Sequence, residues 1–242
     1  MKPDPLIGAV IDGKYTISEL IGSGGMGAVY RAQHNYMERT VAIKVLSLRD
    51  LDGTAEEYLR RFKHEAQTAS QIRHPSAIAI YDYGIAEIGG TGDRPYLVME
   101  YVEGVTLKSL IREGTIHPNR LVPLMLQVCG ALEEAHRLGI VHRDLKPDNI
   151  MISPRGDTER AHVLDFGIAK VVTGHDSVDA GMTKTGSVIG TPRYMSPEQI
   201  LSKPVDQRAD IYALGLVIYE SLTGDVPFTS PSIMELAIKH VS

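Results

Sequence analysis

The chain has 242 residues, and its 43% hydrophobic and 23% charged content is enough to bury a substantial core in one or two lobes. A formal net charge of −5 without a basic run argues against nucleic acid and leaves protein as the expected partner. No stretch approaches the roughly 18 apolar residues of a membrane span, so no membrane contact is expected from this chain, whereas a longer parent protein could be membrane-anchored.

Residues 1–14 are predicted to be an N-terminal extension that precedes a glycine-rich hairpin. Residues 21–29 have the spacing G-x-G-x-x-G-x-V, which a dinucleotide-binding turn shares. That turn requires a helix directly after the glycines, whereas residues 29–32 continue here as a strand towards a polar turn at residues 34–39. The glycines are therefore expected in a hairpin, where the absence of a Cβ lets backbone N–H groups lie close over triphosphate oxygens.

The next predicted strand, residues 40–46, is interrupted by Lys44. A charge that faces inward must be paired or must hold an anion. Residues 58–72 are predicted to form a helix, and Glu65 lies beside its inward apolar stripe. Lys44 and Glu65 are therefore a predicted ion pair; the alternative is that Lys44 extends to solvent and Glu65 is a surface charge.

Residues 96–99 are predicted to form a strand that ends where residues 100–104 lose the apolar pattern, as a hinge between lobes should. This hinge separates a predicted strand-rich N-terminal lobe, residues 15–99, from a predicted helical lobe, residues 105–242. A pocket between two lobes commonly has apolar walls and a few directed polar groups.

The helical lobe contains a predicted helix at residues 121–138, with Gly139 as the glycine that follows its C-cap. Cys129, the single cysteine, lies in this apolar stretch and is expected in the core; its isolation excludes a disulfide framework and favours a reducing, cytoplasmic location. Residues 140–141 look strand-like. Residues 214–219 are apolar nearly all round, which predicts a helix at the centre of the lobe.

Residues 142–149, His-Arg-Asp-Leu-Lys-Pro-Asp-Asn, place a candidate base, a phosphate-binding cation and a metal-binding amide on one short loop. These are Asp144, Lys146 and Asn149. Asp165 follows at short range and offers the second hard oxygen ligand that a magnesium ion on phosphates needs. The His-Arg-Asp triplet alone is more simply explained as a polar turn, but the full set favours phosphoryl transfer.

Two further segments, GTPRYMSPE at residues 190–198 and DIYALG at residues 210–215, complete a pattern whose motifs share one order. Over about residues 15–242 the chain closely resembles the eukaryotic-like Ser/Thr protein kinases, and most of all their bacterial members. Ser196 stands where the family usually has alanine, which is also small. The resemblance implies an α+β, bilobal fold with a small antiparallel β-sheet and one main helix in the N-lobe, and a helical C-lobe.

The resemblance also implies transfer of the γ-phosphoryl group of ATP, with Mg²⁺ or Mn²⁺, to serine or threonine hydroxyls of proteins. Asp144 would orient the acceptor hydroxyl and take its proton, and Lys146 would neutralise charge on the moving phosphoryl group. Lys44 and Glu65 would complete the catalytic set, and Asn149 and Asp165 would hold the metal. The implied ATP-binding positions are Ile21, Gly22, Ser23, Gly24, Gly25, Met26, Gly27, Ala28, Val29, Ala42, Lys44, Met99, Glu100, Val102 and Met151. Core packing alone would also explain each apolar member.

Regulation is expected at two threonines in the polar segment 172–188. Phosphate on Thr183 or Thr185 would add about two negative charges and could bind Arg143, the cation directly before the candidate base. This phosphorylation would run in trans between two copies of the chain. The alternative is that Thr183 and Thr185 are ordinary loop threonines. Lys146 and Thr191 match the Ser/Thr branch of the family.

Two acidic residues are expected to support the site. By resemblance, Asp210 accepts hydrogen bonds from the backbone of the catalytic loop, although it is also an ordinary helix N-terminal charge. Glu198 usually pairs with an arginine from helices that follow the position of Ser242 in the family. The C-lobe is therefore expected to be incomplete, with apolar surface of the central helix uncovered.

Three classes of protein share parts of this pattern. An active protein kinase is favoured by the complete set of catalytic residues. A catalytically silent nucleotide-binding scaffold is the alternative, because helices of the C-lobe are expected to be missing. A small-molecule kinase is disfavoured by residues 190–198, which resemble a platform for protein substrates.

Overall fold

The computed structural model describes residues 4–24, 27–47, 55–90, 92–166 and 192–242. The chain divides into two compact units, the first of Met1–Gln71 and Ala79–Tyr101, the second of Ile72–Ile78 and Val102–Ser242. The division at Tyr101 falls within the predicted hinge. Residues 72–78 belong to the second unit because the Ile78 N–H donates to the Val163 carbonyl at 3.1 Å and Ala77 forms a parallel bridge with Val163.

The described residues of the first unit form one antiparallel sheet and one helix. Its strands are β1 (Val10–Ile11), β2 (Tyr15–Gly24), β3 (Gly27–His34), β4 (Arg39–Leu46), β5 (Ile80–Glu87) and β6 (Asp93–Glu100), and its helix is α1 (Ala55–Ala69). The strands lie in the order β1-β2-β3-β4-β6-β5. The β-branched residues of β4 favour a strand, and the hydrophobic periodicity of α1 places Phe62 and Ala66 in the interior.

One face of this sheet carries the core of the first unit. Tyr30, Ile43 and Val98 lie opposite one another on three neighbouring strands and are buried. Leu6 and Ile11 belong to the same hydrophobic cluster. The segment predicted as an extension therefore contributes a strand and two core side chains to the unit.

The second unit is mainly helical. Among its described residues, the helices are α2 (Leu107–Glu113), α3 (Pro118–Arg137), α4 (Pro197–Ile200), α5 (Arg208–Thr223) and α6 (Ile233–Val241), with 3-10 turns at Pro147–Asn149 and Pro192–Tyr194. The strands β7 (Val105–Thr106), β8 (Ile150–Arg155) and β9 (Thr158–Val163) form a small antiparallel sheet. The predicted α+β class, with a strand-rich first part and a helical second part, is confirmed.

The end of α3 explains how the chain enters the catalytic loop. Gly139 has a φ of 75°, which confirms the predicted glycine after the C-cap. The prediction of a strand-like pair at residues 140–141 is wrong. The Ile140 N–H donates back to the Ala135 carbonyl at 2.9 Å, so it closes the helix end and does not pair with a strand.

The prediction that Cys129 is in the core is also wrong. The buried stripe of α3 includes Met125, Val128 and Leu132, and Cys129 lies about 100° round the helix from Val128, on the exposed side. Helical periodicity assigns a residue to a face only when the orientation of the whole stripe is known.

The central helix α5 buries Ala213, Leu214 and Val217 but not its whole circumference. Ile211 is 56% exposed and Tyr219 is 46% exposed. Apolar surface on this helix is therefore open to solvent. Among the helices of the described part of the chain, none is long and apolar enough to span a membrane.

Candidate active site

The side chain of Asp144 lies in a group of polar atoms on the loop after α3. Lys146 Nζ is 2.7 Å from Asp144 Oδ2, and Asn149 Nδ2 is 3.2 Å from the same oxygen. The side chain of Asp144 is 42% exposed and that of Lys146 is 34% exposed, so both remain accessible to a substrate. The loop thus brings together three residues that the sequence predicts for catalysis and metal binding.

Asp210 fixes the backbone of this loop through hydrogen bonds to its carboxylate. Its carboxylate is fully buried and accepts hydrogen bonds from the backbone N–H groups of His142 and Arg143, both at 2.9 Å. His136 Nε2 lies 2.7 Å from the same carboxylate. Asp210 is also in the first turn of α5, so the contact implied by the resemblance and the helix N-terminal position are both present.

His142 links the loop to the chain just before Asp165. Its Nδ1 accepts a hydrogen bond from the Asp144 N–H at 3.3 Å, so its Nε2 carries the proton and donates to the Leu164 carbonyl at 2.7 Å. Its ring also packs edge-on against Phe166, with centroids 5.2 Å apart. Sequence reasoning missed this role, because a histidine in such a loop gives no sign of which atoms it will contact.

Asn149 presents an oxygen that suits a hard cation. Its Nδ2 donates to the Asp144 carbonyl at 2.7 Å as well as to the carboxylate, which leaves Oδ1 as its acceptor atom. The Leu164 N–H donates to the Asn149 carbonyl at 2.9 Å, so the chain just before Asp165 runs beside Asn149. An amide oxygen and a carboxylate are ligands that Mg²⁺ accepts, so the two residues fit the predicted metal.

Two residues of this region have a left-handed backbone. Arg143 has a φ of 65° and Asp165 a φ of 60°. Such conformations cost of order 1–3 kcal/mol in residues other than glycine and persist only where surrounding contacts hold them. Arg143 directly precedes the candidate base and Asp165 is itself a predicted metal ligand, and strain of this kind is often found at such sites.

In the first unit, one sheet face collects four residues predicted for ATP. Val29 lies opposite Lys44 on the neighbouring strand, and Ala42 lies opposite Met99. Directly opposite residues share a face, as do Ala42 and Lys44, which are two positions apart on β4. Ala42, Lys44 and Met99 are each at most 7% exposed.

The glycines lie at the ends of two paired strands. Gly24 at the end of β2 lies opposite Gly27 at the start of β3, which confirms the predicted hairpin. The hairpin is followed by a strand and not by a helix. Gly27 has a φ of 139°, and a Cβ there would lie 2.1 Å from the Val45 carbonyl oxygen. Only glycine fits that position without a shift of the backbone.

The other predicted residues are distributed over both units. Ile21, Gly22 and Ser23 lie at the end of β2, Ala28 on β3, Glu65 on α1, Glu100 at the end of β6, Val102 at the start of the second unit, and Met151 on β8. Glu65 is half-buried, and its pairing with Lys44 stays a prediction. Gly25, Met26, Thr183, Thr185 and Thr191 lie outside the described residues.

A second buried carboxylate, which the sequence did not indicate, binds the 3-10 turn at Pro192–Tyr194. Glu220 on α5 is 2% exposed and accepts hydrogen bonds from Lys108 on α2 and from the Tyr194 hydroxyl. Burial and then the bond to Glu220 raise the pKa of Tyr194. Glu198 makes no ion pair with any of the described residues, and the role of its usual partner stays a prediction.

The match to a known family is extensive. The family described as the protein kinase domain matches residues 15–241. This chain belongs to the protein kinase family.

Relatives with curated descriptions are similar over nearly all of the chain. The serine/threonine-protein kinase pkn3 of Myxococcus xanthus is 42% identical over 99% of this chain and 43% of its own length. PknB of Mycobacterium tuberculosis is 45% identical over 94% of this chain and 35% of its own length, and PrkC of Bacillus subtilis is 43% identical over 98% and 34%. The chain therefore spans less than half the length of these relatives.

A solved structure shows the same fold. The PknI kinase domain of Mycobacterium tuberculosis is similar with a TM-score of 0.69 and 26% identity, covering 97% of this chain and 85% of that one. The bilobal protein-kinase fold implied by the sequence is thus confirmed.

Proposed function

We propose that this chain transfers the γ-phosphoryl group of MgATP to serine and threonine hydroxyls of proteins. The observation that carries the proposal is the grouping of Lys146 and Asn149 around the accessible carboxylate of Asp144, on a loop anchored by Asp210. The serine/threonine kinases among the relatives support the same reaction class.

Asp144 acts on the acceptor in this proposal. Its carboxylate orients the incoming hydroxyl and takes the proton as the oxygen forms a bond to the γ-phosphorus. The bond from that phosphorus to the bridging oxygen breaks at the same time, and ADP leaves with the bonding electrons. A positioned base of this kind contributes roughly 10²- to 10⁴-fold to a rate.

Lys146 changes partner during the reaction. Its ammonium group contacts the Asp144 carboxylate at 2.7 Å in the structure. The flexible side chain is long enough for this group to turn towards an entering phosphoryl group. It would neutralise charge on that group as the bond to ADP breaks. Asn149 and Asp165 would hold Mg²⁺, which when bound neutralises charge on the phosphates.

The first unit supplies the nucleotide-binding residues. The face formed by Val29, Ala42 and Met99 would cover the adenine ring, and Lys44 would bind phosphate oxygens. The backbone N–H groups of the glycine hairpin would point at those oxygens. The sheet itself also requires glycine at position 27, because a Cβ there would collide with the Val45 carbonyl of β4.

Regulation would depend on phosphate at Thr183 or Thr185. Arg143 forms no ion pair with the residues that the structure describes, so its guanidinium is a suitable partner for such a phosphate. Transfer between two associated copies would make the rate of modification rise with protein concentration. The single cysteine fits a reducing cytoplasm, where ATP is abundant.

Transfer of radiolabelled phosphate to a generic basic protein tests the proposal. Asp144→Asn should lower the rate by about 10²- to 10⁴-fold while nucleotide binding is retained. Asp157→Asn, in the exposed β8–β9 turn, is the matched control and should behave as the unmodified chain. Nucleotide binding without any transfer by the unmodified chain would instead favour the silent scaffold.

The regulatory step has its own experiment. Intact mass after incubation with MgATP should increase by phosphate groups, and a Thr183→Ala, Thr185→Ala double variant should lose that increase. Full activity with unchanged mass would refute the regulatory part and leave the transfer reaction standing.

A further inference from the structure

The side chain of Gln199 connects helix α4 to the catalytic loop. Its Nε2 donates to the Arg143 carbonyl at 2.7 Å, and its Oε1 accepts from the Ser196 N–H at 3.0 Å. The Gln199 N–H in turn donates to the Ser196 hydroxyl at 3.4 Å, which completes a capping box at the start of α4. One amide group therefore serves a helix cap and a loop carbonyl at the same time.

The carbonyl that Gln199 holds belongs to the peptide directly before Asp144. The N–H of that same peptide donates to His142 Nδ1 at 3.3 Å. Both polar ends of the peptide plane are therefore fixed by side chains. Because a peptide is planar, fixing both ends sets the position of the Asp144 Cα and restricts the directions in which its side chain can leave the backbone.

This peptide needs to be held. Arg143 has a φ of 65°, and a left-handed residue other than glycine relaxes unless its surroundings retain it. Asp210 binds the N–H on the near side of Arg143 at 2.9 Å, and Gln199 binds the carbonyl on the far side. The two contacts hold Arg143 from its two ends.

Few side chains can replace glutamine here. The position requires an acceptor for the Ser196 N–H and a donor for the Arg143 carbonyl, which an amide supplies and a carboxylate does not. Asparagine is one methylene shorter. Methionine has a similar length but neither strong donor nor strong acceptor.

We propose that Gln199 is a positioning residue for the candidate base, acting through the peptide between Arg143 and Asp144. The inference rests on the proposed phosphoryl transfer and extends it to a residue outside the predicted catalytic set. Gln199 affects the orientation of Asp144 without contacting substrate, so its loss should slow the chemical step and leave nucleotide binding in place.

The test compares three substitutions in the full chain. Gln199→Met removes both contacts of the side chain. Gln199→Glu keeps the acceptor for the Ser196 N–H but removes the donor to the Arg143 carbonyl. Gln207→Met is the matched control, because Gln207 is exposed and its side chain makes no capping bond to α5.

We expect kcat to fall roughly 10-fold in Gln199→Met and Gln199→Glu, with KM for ATP within about 2-fold of the unmodified value. The control should change neither constant. Equal kcat in Gln199→Glu and the unmodified chain would overturn the proposal, since it would show that only the helix cap matters. If Gln199→Met does not fold, Gln199→Glu still decides the question.

A second measurement separates this proposal from the transfer reaction. Hydrogen exchange of the amides in residues 142–149 should become faster in Gln199→Glu than in the unmodified chain, whether or not the chain is active. Unchanged exchange would overturn the positioning role. Faster exchange in a chain that transfers no phosphate would retain the positioning role and reject the proposed function.

Discussion

Replacing Asp210 by asparagine should test how the catalytic loop is held. The substitution preserves the shape of the side chain but leaves one acceptor oxygen where there were two. Oδ1 binds the Arg143 N–H and Oδ2 binds the His142 N–H, so the new amide NH₂ must face one of these donors. His136, 2.7 Å from Oδ2, also loses its charged partner.

The size of the effect follows from these contacts. A buried donor left without a partner costs about 1–3 kcal/mol, and loss of the charge weakens the remaining bonds by about a further 1 kcal/mol. Together these contributions predict a loss of about 2–4 kcal/mol in the free energy of unfolding. For a chain of this length that corresponds to a melting temperature lower by about 4–16 °C.

Thermal denaturation and urea titration of Asp210→Asn measure this loss directly. Asp206→Asn is a suitable control, because Asp206 is exposed, lies just before the same helix and pairs with the exposed Arg208. The control should melt close to the unmodified chain. A loss below about 1 kcal/mol in Asp210→Asn would refute the argument that this carboxylate anchors the loop.

Two further predictions concern the second unit. Lys108→Met leaves the buried Glu220 without its cation and should lower the free energy of unfolding by about 2–3 kcal/mol. Adding Glu220→Gln to this variant should recover most of the lost stability, and no recovery in urea titrations would contradict the pairing. Burial lowers the pKa of His240, so the unfolded chain takes up a proton there first as pH falls. The stability that neutral His240 provides is complete above about pH 6.5 and is lost below it. His240→Leu should therefore show a smaller drop in urea midpoint between about pH 7.5 and about pH 5.5, and an equal drop would contradict the assignment.

The sequence predicted those parts of the fold that depend on local pattern. The β-branched run of β4, the glycine pair at Gly24 and Gly27 and the helix end at Gly139 are each specified by residues within a few positions of one another. Local rules are sufficient there because backbone conformation and hydrophobic period act over short distances.

Contacts between distant segments could not be predicted in the same way. Gln199 reaches a carbonyl 56 positions earlier, and Glu220 binds a lysine 112 positions earlier. The spacing of Ser196 and Gln199 indicates a helix cap but not the distant carbonyl, and no local spacing indicates the partner of Glu220. Cys129 shows the same limit for burial, because its exposure depends on which side of α3 the rest of the unit covers. The resemblance supplied the Asp210 contact because the family pattern already contains that long-range information.

The loop shows why a catalytic carboxylate is positioned mainly through its backbone. Asp144 must stay accessible to an acceptor, and its side chain is 42% exposed, so packing cannot restrict it from all sides. The backbone around Asp144 does not have to remain accessible to an acceptor, so it can be held by contacts on both sides. Asp210, His142 and Gln199 accordingly bind the peptide groups on either side of Arg143, whereas the described side chains that hydrogen-bond the carboxylate are those of Lys146 and Asn149. A site that must admit substrate and also hold its base in one orientation can meet both demands when the rigid contacts are made to the main chain.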